Sequence, residues 1–232
     1  MTPFESEFLG TLVFVFLGCA VSANARLSRT HGHAMGWAGI SLGWAAALAA
    51  GTWVARTSGG MLNPALVLAS VWDARVAMDR SLLWTYVGAE FAGAAVGAVL
   101  AWLAFLPHWA RTDDRDAILA SFATVPAVRA PLSNLIVESL ASMVFVLVAL
   151  AERGPDAWAI RGVAVLALML GVGGTTQLAL NPARDLMGRA VHAVAPITGK
   201  GSGDWGYAWV PFLGPILGAA AAVVVRRLLL PA

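Results

Sequence analysis

Charge is what this chain has least of. Asp, Glu, Lys and Arg together make up 12% of its 232 residues, where a soluble domain carries about 25%. A water-soluble fold is thereby excluded, and 59% hydrophobic residues with a mean hydropathy of +0.75 make this a membrane protein. The net charge of +2 is too small to draw nucleic acid. Cysteine is scarce too: Cys19 alone cannot form an internal disulfide, and its apolar surroundings make it a packed thiol rather than a reactive one. A basic flank is missing before the first apolar run. Glu5 and Glu7 stand there instead and the run is long enough to span, so no cleavable signal peptide is expected. Paired aspartates, Gly-x-Ser-x-Gly and His-Glu-x-x-His are absent from the apolar runs, so neither an enzyme nor a cofactor is expected. His31 and His33 lie on a polar loop without two further ligands nearby, so they are read as solvated and no metal site is expected.

Long uncharged runs are what the chain has instead. Residues 8–25 and 34–55 carry no charge and predict two spans. Further spans are predicted at about 81–106, with Glu90 as its one charge, at 132–151 around Glu138, from about 157 with Arg161 snorkelling near its end, and at 205–225. A polar stretch at 107–131 marks the midpoint. The chain thus reads as one domain, 1–232, with repeat one at about 5–106, a loop at 107–131 and repeat two at about 132–228.

Leu62-Asn63-Pro64-Ala65 returns as Leu180-Asn181-Pro182-Ala183, 118 positions later. Asn is a favoured N-cap and Pro suits the first helical position, so each copy starts a helix inside apolar sequence. From Asn63 to Asp73 is about 11 residues, roughly half the ~30 Å hydrocarbon core at ~1.5 Å per residue. Broken backbone at that depth survives only where protein buries it or a watery cavity solvates it. The halves also match elsewhere. Residues 7–15 and 138–146 agree at five of nine positions, and Gly93…Gly97-Ala98 corresponds to Gly214…Gly218-Ala219. Small residues at that spacing let helices approach closely. Three spans per repeat is odd, so the halves insert with opposite topology. The two half-helices then enter from opposite faces and meet near the midplane, Asn to Asn.

With these motifs the chain resembles the aquaporin and glycerol-facilitator family (major intrinsic proteins) over nearly its whole length. The resemblance implies an all-α membrane fold of six transmembrane helices and two re-entrant half-helices. It implies a passive channel for water and small uncharged solutes such as glycerol, excluding ions and protons. A metalloid hydroxide channel, or a coupled transporter with Glu7, Glu138 or Glu90 as proton sites, is the alternative. It further implies a multi-pass cell-membrane protein with cytoplasmic termini, and a homotetramer with one pore per subunit. The basic residues themselves do not settle orientation. The Asn63 and Asn181 side chains are expected to cap their half-helices and to offer NH₂ groups to solute, with Pro64, Ala65, Pro182 and Ala183 completing the motifs. Two helix N-termini, each about +0.5 charge, would face the same point and disfavour cations. Glu7 and Glu138 are expected to brace the re-entrant loops; Glu90 has no evident partner.

The family's constriction maps onto Gly43, Met169, Leu178 and Arg184. Water-selective relatives carry an aromatic and a His at the first two positions, so a wider, more apolar pore is expected here. The register at the first position is open by one residue, with Trp44 beside Gly43. Asp185, Arg189 and Pro211 resemble the glycerol subgroup. Met61 stands where most members have His.

Overall fold

The computed structural model describes residues 1–76, 78–152 and 154–229. Every regular element among them is helical. Helices α1 (Pro3–Arg26), α2 (Gly36–Val54), α4 (Leu83–Ala104), α7 (Pro131–Ala151) and α10 (Trp209–Leu229) are long and apolar enough to cross a membrane. Between them lie α3 (Pro64–Trp72), α5 (Leu106–Trp109), α6 (Arg115–Ala120), α8 (Ala157–Gly171) and α9 (Pro182–Val194). Helix α8 takes the place of the expected fifth span. Its 15 residues reach about 22 Å at ~1.5 Å per residue, and turns at 172–176 carry the chain onward. Helix α1 begins ahead of its uncharged run because Thr2 and Glu5 form a capping box, with Pro3 in the first turn. The midpoint loop is also more structured than expected. It contains α5 and α6, and then buries Phe122, Ala123 and Thr124 inside the bundle.

Helix α1 packs along α4 and α7 along α10, the same pairing in each half. The glycine pairs sit at these crossings. A Cβ at Gly97 would come 2.6 Å from the Leu12 carbonyl oxygen, and one at Gly214 would come 2.5 Å from the Glu138 Cβ. Gly93 and Gly218 likewise face the Phe8 and Ser139 carbonyls with no room for a side chain. In lipid the apolar faces gain nothing by leaving the tails, so close van der Waals contact of this kind holds the helices together. Helix α2 closes the bundle by packing on both α1 and α8.

Both half-helices begin at the junction of the halves. Asn63 caps α3 at φ −154°, ψ 112°, and Asn181 caps α9 at φ −147°, ψ 111°. The near-identity of these angles is the local expression of the repeat.

Candidate functional site

Each motif asparagine does three things at once. Its Oδ1 accepts from the first turn of its own half-helix: Ala65 N at 3.0 Å for Asn63, Ala183 N at 3.0 Å and Arg184 N at 3.2 Å for Asn181. One N–H of its amide crosses to the other half. Asn63 Nδ2 donates to the Leu180 carbonyl at 2.8 Å, and Asn181 Nδ2 donates to the Leu62 carbonyl at 2.6 Å. The amide has two such hydrogens. The second is left at the wall of a narrow bore that both residues line.

The carbonyls that receive these bonds sit on strained residues. Leu62 and Leu180 have φ of 52° and 55°, and Gln177 and Leu178 lie in the same left-handed region. Such a conformation costs a branched residue about 1–2 kcal/mol, so something must hold it. Three buried glutamates do. Glu7 accepts Met61 N at 3.0 Å, Leu62 N at 2.7 Å and Ser58 Oγ at 2.6 Å. Glu138 accepts Ala179 N at 3.0 Å and Leu180 N at 3.3 Å. Glu90, for which the sequence offered no partner, accepts Asn63 N at 2.8 Å. Arg161 is a further brace the sequence did not reveal. Instead of snorkelling it is 6% exposed and donates to the Gly59 and Gly60 carbonyls at 3.0 and 2.6 Å, with Glu152 beside it at 3.6 Å. Its signal was there: an arginine inside an apolar helix needs a partner.

The tight part of the bore lies just beyond Asn181. The space between Asn63 and Arg184 amounts to about 30 Å³, against roughly 10–15 Å³ for one water-sized sphere, so it has room for only a few water-sized groups at once. Arg184, Met169 and Leu178 line it together with Trp44. Gly43 does not, and the expected assignment is corrected here. Its missing side chain is the space occupied by Val21 of α1. One residue along a helix is a turn of about 100°, so the α2 residues facing the bore are Trp44 and, four later, Leu48. The expectation of a glycine-widened pore falls with it: a large aromatic stands at that position. The Arg184 guanidinium lies 4.2 Å from the Trp44 ring centroid. The bore therefore has a mixed lining, with apolar Trp44, Met169, Leu178, Phe14 and Phe145 beside the polar groups of Arg184 and the two asparagines, and Arg184 stacked on the Trp44 ring.

Arg184 and α9 are anchored by a buried ionic cluster. Asp185 Oδ2 accepts Thr124 N at 2.7 Å and Thr124 Oγ1 at 2.6 Å, and lies 3.4 Å from Arg184 Nη1. Asp185 Oδ1 accepts Arg189 Nε at 2.6 Å. Arg189 also donates to the carbonyls of Thr124, Gly203 and Asp204. Asp185 and Arg189 are fully buried. They tie the midpoint loop and the loop before α10 to the second half-helix. Pro211 is buried in the first turn of α10.

Beside α3 lies a second cavity, of about 340 Å³, whose walls include Met61, Ser70, Arg161 and Glu152. Met61 approaches the Ser70 hydroxyl at 3.8 Å. Just past α3, Asp73 accepts Arg226 Nε at 2.9 Å and Arg75 Nε at 3.1 Å, which pins the end of the half-helix to α10. Burial opposes the Asp73 carboxylate, but hydrogen bonds from Arg75 and Arg226 outweigh it and hold its pKa below the ordinary value. His31 and His33 are exposed on their loop, and Cys19 is buried with its thiol 3.8 Å from the Phe122 carbonyl.

Comparison with known proteins adds the following. The model of the family described as "Major intrinsic protein" matches residues 2–226. A "Glycerol uptake facilitator protein" of Streptococcus pneumoniae is 41% identical, over 98% of this chain and 99% of the relative. A "Probable glycerol uptake facilitator protein" of Thermotoga maritima is 40% identical, over 94% and 95%. Among solved structures, the X-ray structure of the aquaglyceroporin from Plasmodium falciparum superposes with a TM-score of 0.82 at 25% identity, covering 97% of this chain and 95% of that one.

Proposed function

This chain belongs to the major intrinsic protein family, and from that premise we propose how its bore selects what it conducts. It is a multi-pass cell-membrane channel, not an enzyme, passing glycerol and small neutral solutes. The observation that carries the selective reading is the mixed polar and apolar lining of the bore. Glycerol has hydroxyls along one edge and carbons along the other. Its hydroxyl oxygens accept from the Arg184 fork and from the free N–H of Asn63 and Asn181, while its carbons slide along Trp44, Met169 and Leu178. The N-termini of α3 and α9 both point at the asparagine junction. Each contributes about +0.5 charge, so cations and excess protons are disfavoured there while neutral solutes pass. The chain forms one channel domain of two inverted repeats, with cytoplasmic termini and four subunits each carrying its own bore. Cross-linking of the purified protein followed by denaturing electrophoresis tests the tetramer.

Stopped-flow light scattering on proteoliposomes with water, glycerol, urea and arsenite tests the solute range. Asn63→Ala and Asn181→Ala should each remove a cap worth about 1 kcal/mol and lower solute flux. Parent-level flux through both variants, once folded and inserted, would take the asparagines out of the solute path. Transport should also be downhill only. Glu7 and Glu138 are engaged by backbone N–H groups and Glu90 by Asn63 N, so the three carboxylates serve to brace the re-entrant backbone. Sealed vesicles with an imposed pH difference should therefore equilibrate glycerol without accumulating it. Uphill accumulation would mean a coupled transporter.

A further inference from the structure

Phe14, Gly18 and Ser22 follow one another at four-residue steps, so they share one face of α1. Trp44 lies against all three. Phe14 meets its ring edge-on, 5.5 Å between centroids at 75°. At Gly18 there is no side chain because the six-membered ring of Trp44 is already there: a Cβ would overlap Cε3, Cζ3 and Cη2. Ser22 Oγ accepts the indole Nε1–H at 2.9 Å, with both residues buried. That N–H is the only hydrogen-bond donor of the tryptophan side chain. Phe14 lines the bore, whereas Gly18 and Ser22 do not.

We propose that Gly18 and Ser22 are positioning residues for solute size: they hold the Trp44 ring back against α1 and so set how far it intrudes, with Arg184 stacked on it, into the bore. This rests on the reading of Trp44 and Arg184 as the walls of the filter. Gly18 provides the slot in which the ring sits. Any side chain there moves the ring, and since α1 closes one side, the free direction is toward the bore. Ser22 fixes the ring by its single polar atom. Without that acceptor the indole N–H is left buried and unpaired, and Trp44 meets open space on its bore side. Both changes therefore push the same group the same way, into the bore that Trp44 lines, and a narrower bore penalises glycerol more than water.

The test measures glycerol and water permeability in proteoliposomes for the parent, Gly18→Ala, Ser22→Ala and Ser22→Thr, each also in a Trp44→Leu background. The glycerol-to-water ratio should fall at least tenfold in Gly18→Ala and clearly in Ser22→Ala, and Ser22→Thr, which keeps the hydroxyl, should restore it. With Trp44→Leu the same substitutions should leave the ratio unmoved, as expected for residues that act through one partner. Ser22→Ala removes one oxygen and adds no bulk, so it decides the matter if Gly18→Ala does not insert. An unchanged ratio in the inserted variants, or a fall that persists without Trp44, overturns the proposal while leaving the channel intact. A parent that conducts none of the solutes overturns the channel reading, and this one with it.

Discussion

Arg189→Met should lower the stability of the folded channel by about 3–5 kcal/mol, the usual effect of removing one partner from a buried ion pair. The charge left behind is Asp185, which is fully buried and would keep only the two Thr124 donors and a 3.4 Å approach to Arg184. Three carbonyls, on Thr124, Gly203 and Asp204, would lose their donor as well. Met fills much of the same volume, so the effect isolates the charge and the fork from packing. Arg189→Lys should recover only part of the loss, because an ammonium is a point charge and cannot reach four acceptors held around a planar guanidinium. The measurement is the unfolding temperature of the detergent-purified protein, together with its monodisperse fraction after solubilisation. An unfolding temperature for Arg189→Met within a degree or two of the parent would mean that the loops hold α9 without the cluster.

That cluster also shows where sequence reading stops. Asp185 and Arg189 are visible as a spaced pair on a helix, and the resemblance marked them as subgroup features. What they bind is not visible, because Thr124 and Gly203 come from loops whose path depends on the whole bundle. The spans and the two half-helix starts were legible for a simple reason. Length, hydropathy and the Asn-Pro cap act locally, and in lipid the backbone has few alternatives to a helix. The braces were half legible. Glu7 and Glu138 are mirrored by the repeat. Glu90 and Arg161 have no mirrored partner, and their acceptor or donor groups are backbone atoms that carry no sequence signature. Met169, Leu178 and Arg184 come together along the bore. It was misread at Gly43. All three of the former are counted from Asn181, whereas Gly43 sits on a separate helix, across a loop and 20 residues before Asn63. An error of one residue there is a rotation of about 100°, enough to exchange the α1-facing side for the bore-facing one. Only the contact of Gly43 with Val21 and of Trp44 with Arg184 resolves it.

Arg184→Val should turn a proton-tight channel into a leaky one while water still passes. Arg184 is buried and lines the small bore, so a cation entering the bore comes within a few ångströms of its charge. At about 4 Å and an effective dielectric constant near 20, two like charges repel by roughly 4 kcal/mol. Asp185, 3.4 Å from Arg184 Nη1, offsets part of this. The offset is incomplete, because Asp185 is also committed to Arg189 and Thr124. A remaining barrier of about 2 kcal/mol corresponds to roughly a 30-fold difference in rate at ~1.4 kcal/mol per tenfold. The two half-helix N-termini are untouched by the substitution, so exclusion weakens rather than vanishes. Arg184→Lys separates the two roles of the side chain. It keeps the charge and so should stay proton-tight, but it loses the fork and should conduct glycerol less well than the parent. The measurement is proton flux into proteoliposomes carrying an internal pH-sensitive dye under a clamped membrane potential, beside water and glycerol permeability from stopped-flow scattering. Proton flux at the parent level in Arg184→Val, with water permeability retained, would show that the dipoles of α3 and α9 suffice, and would assign Arg184 to solute binding alone.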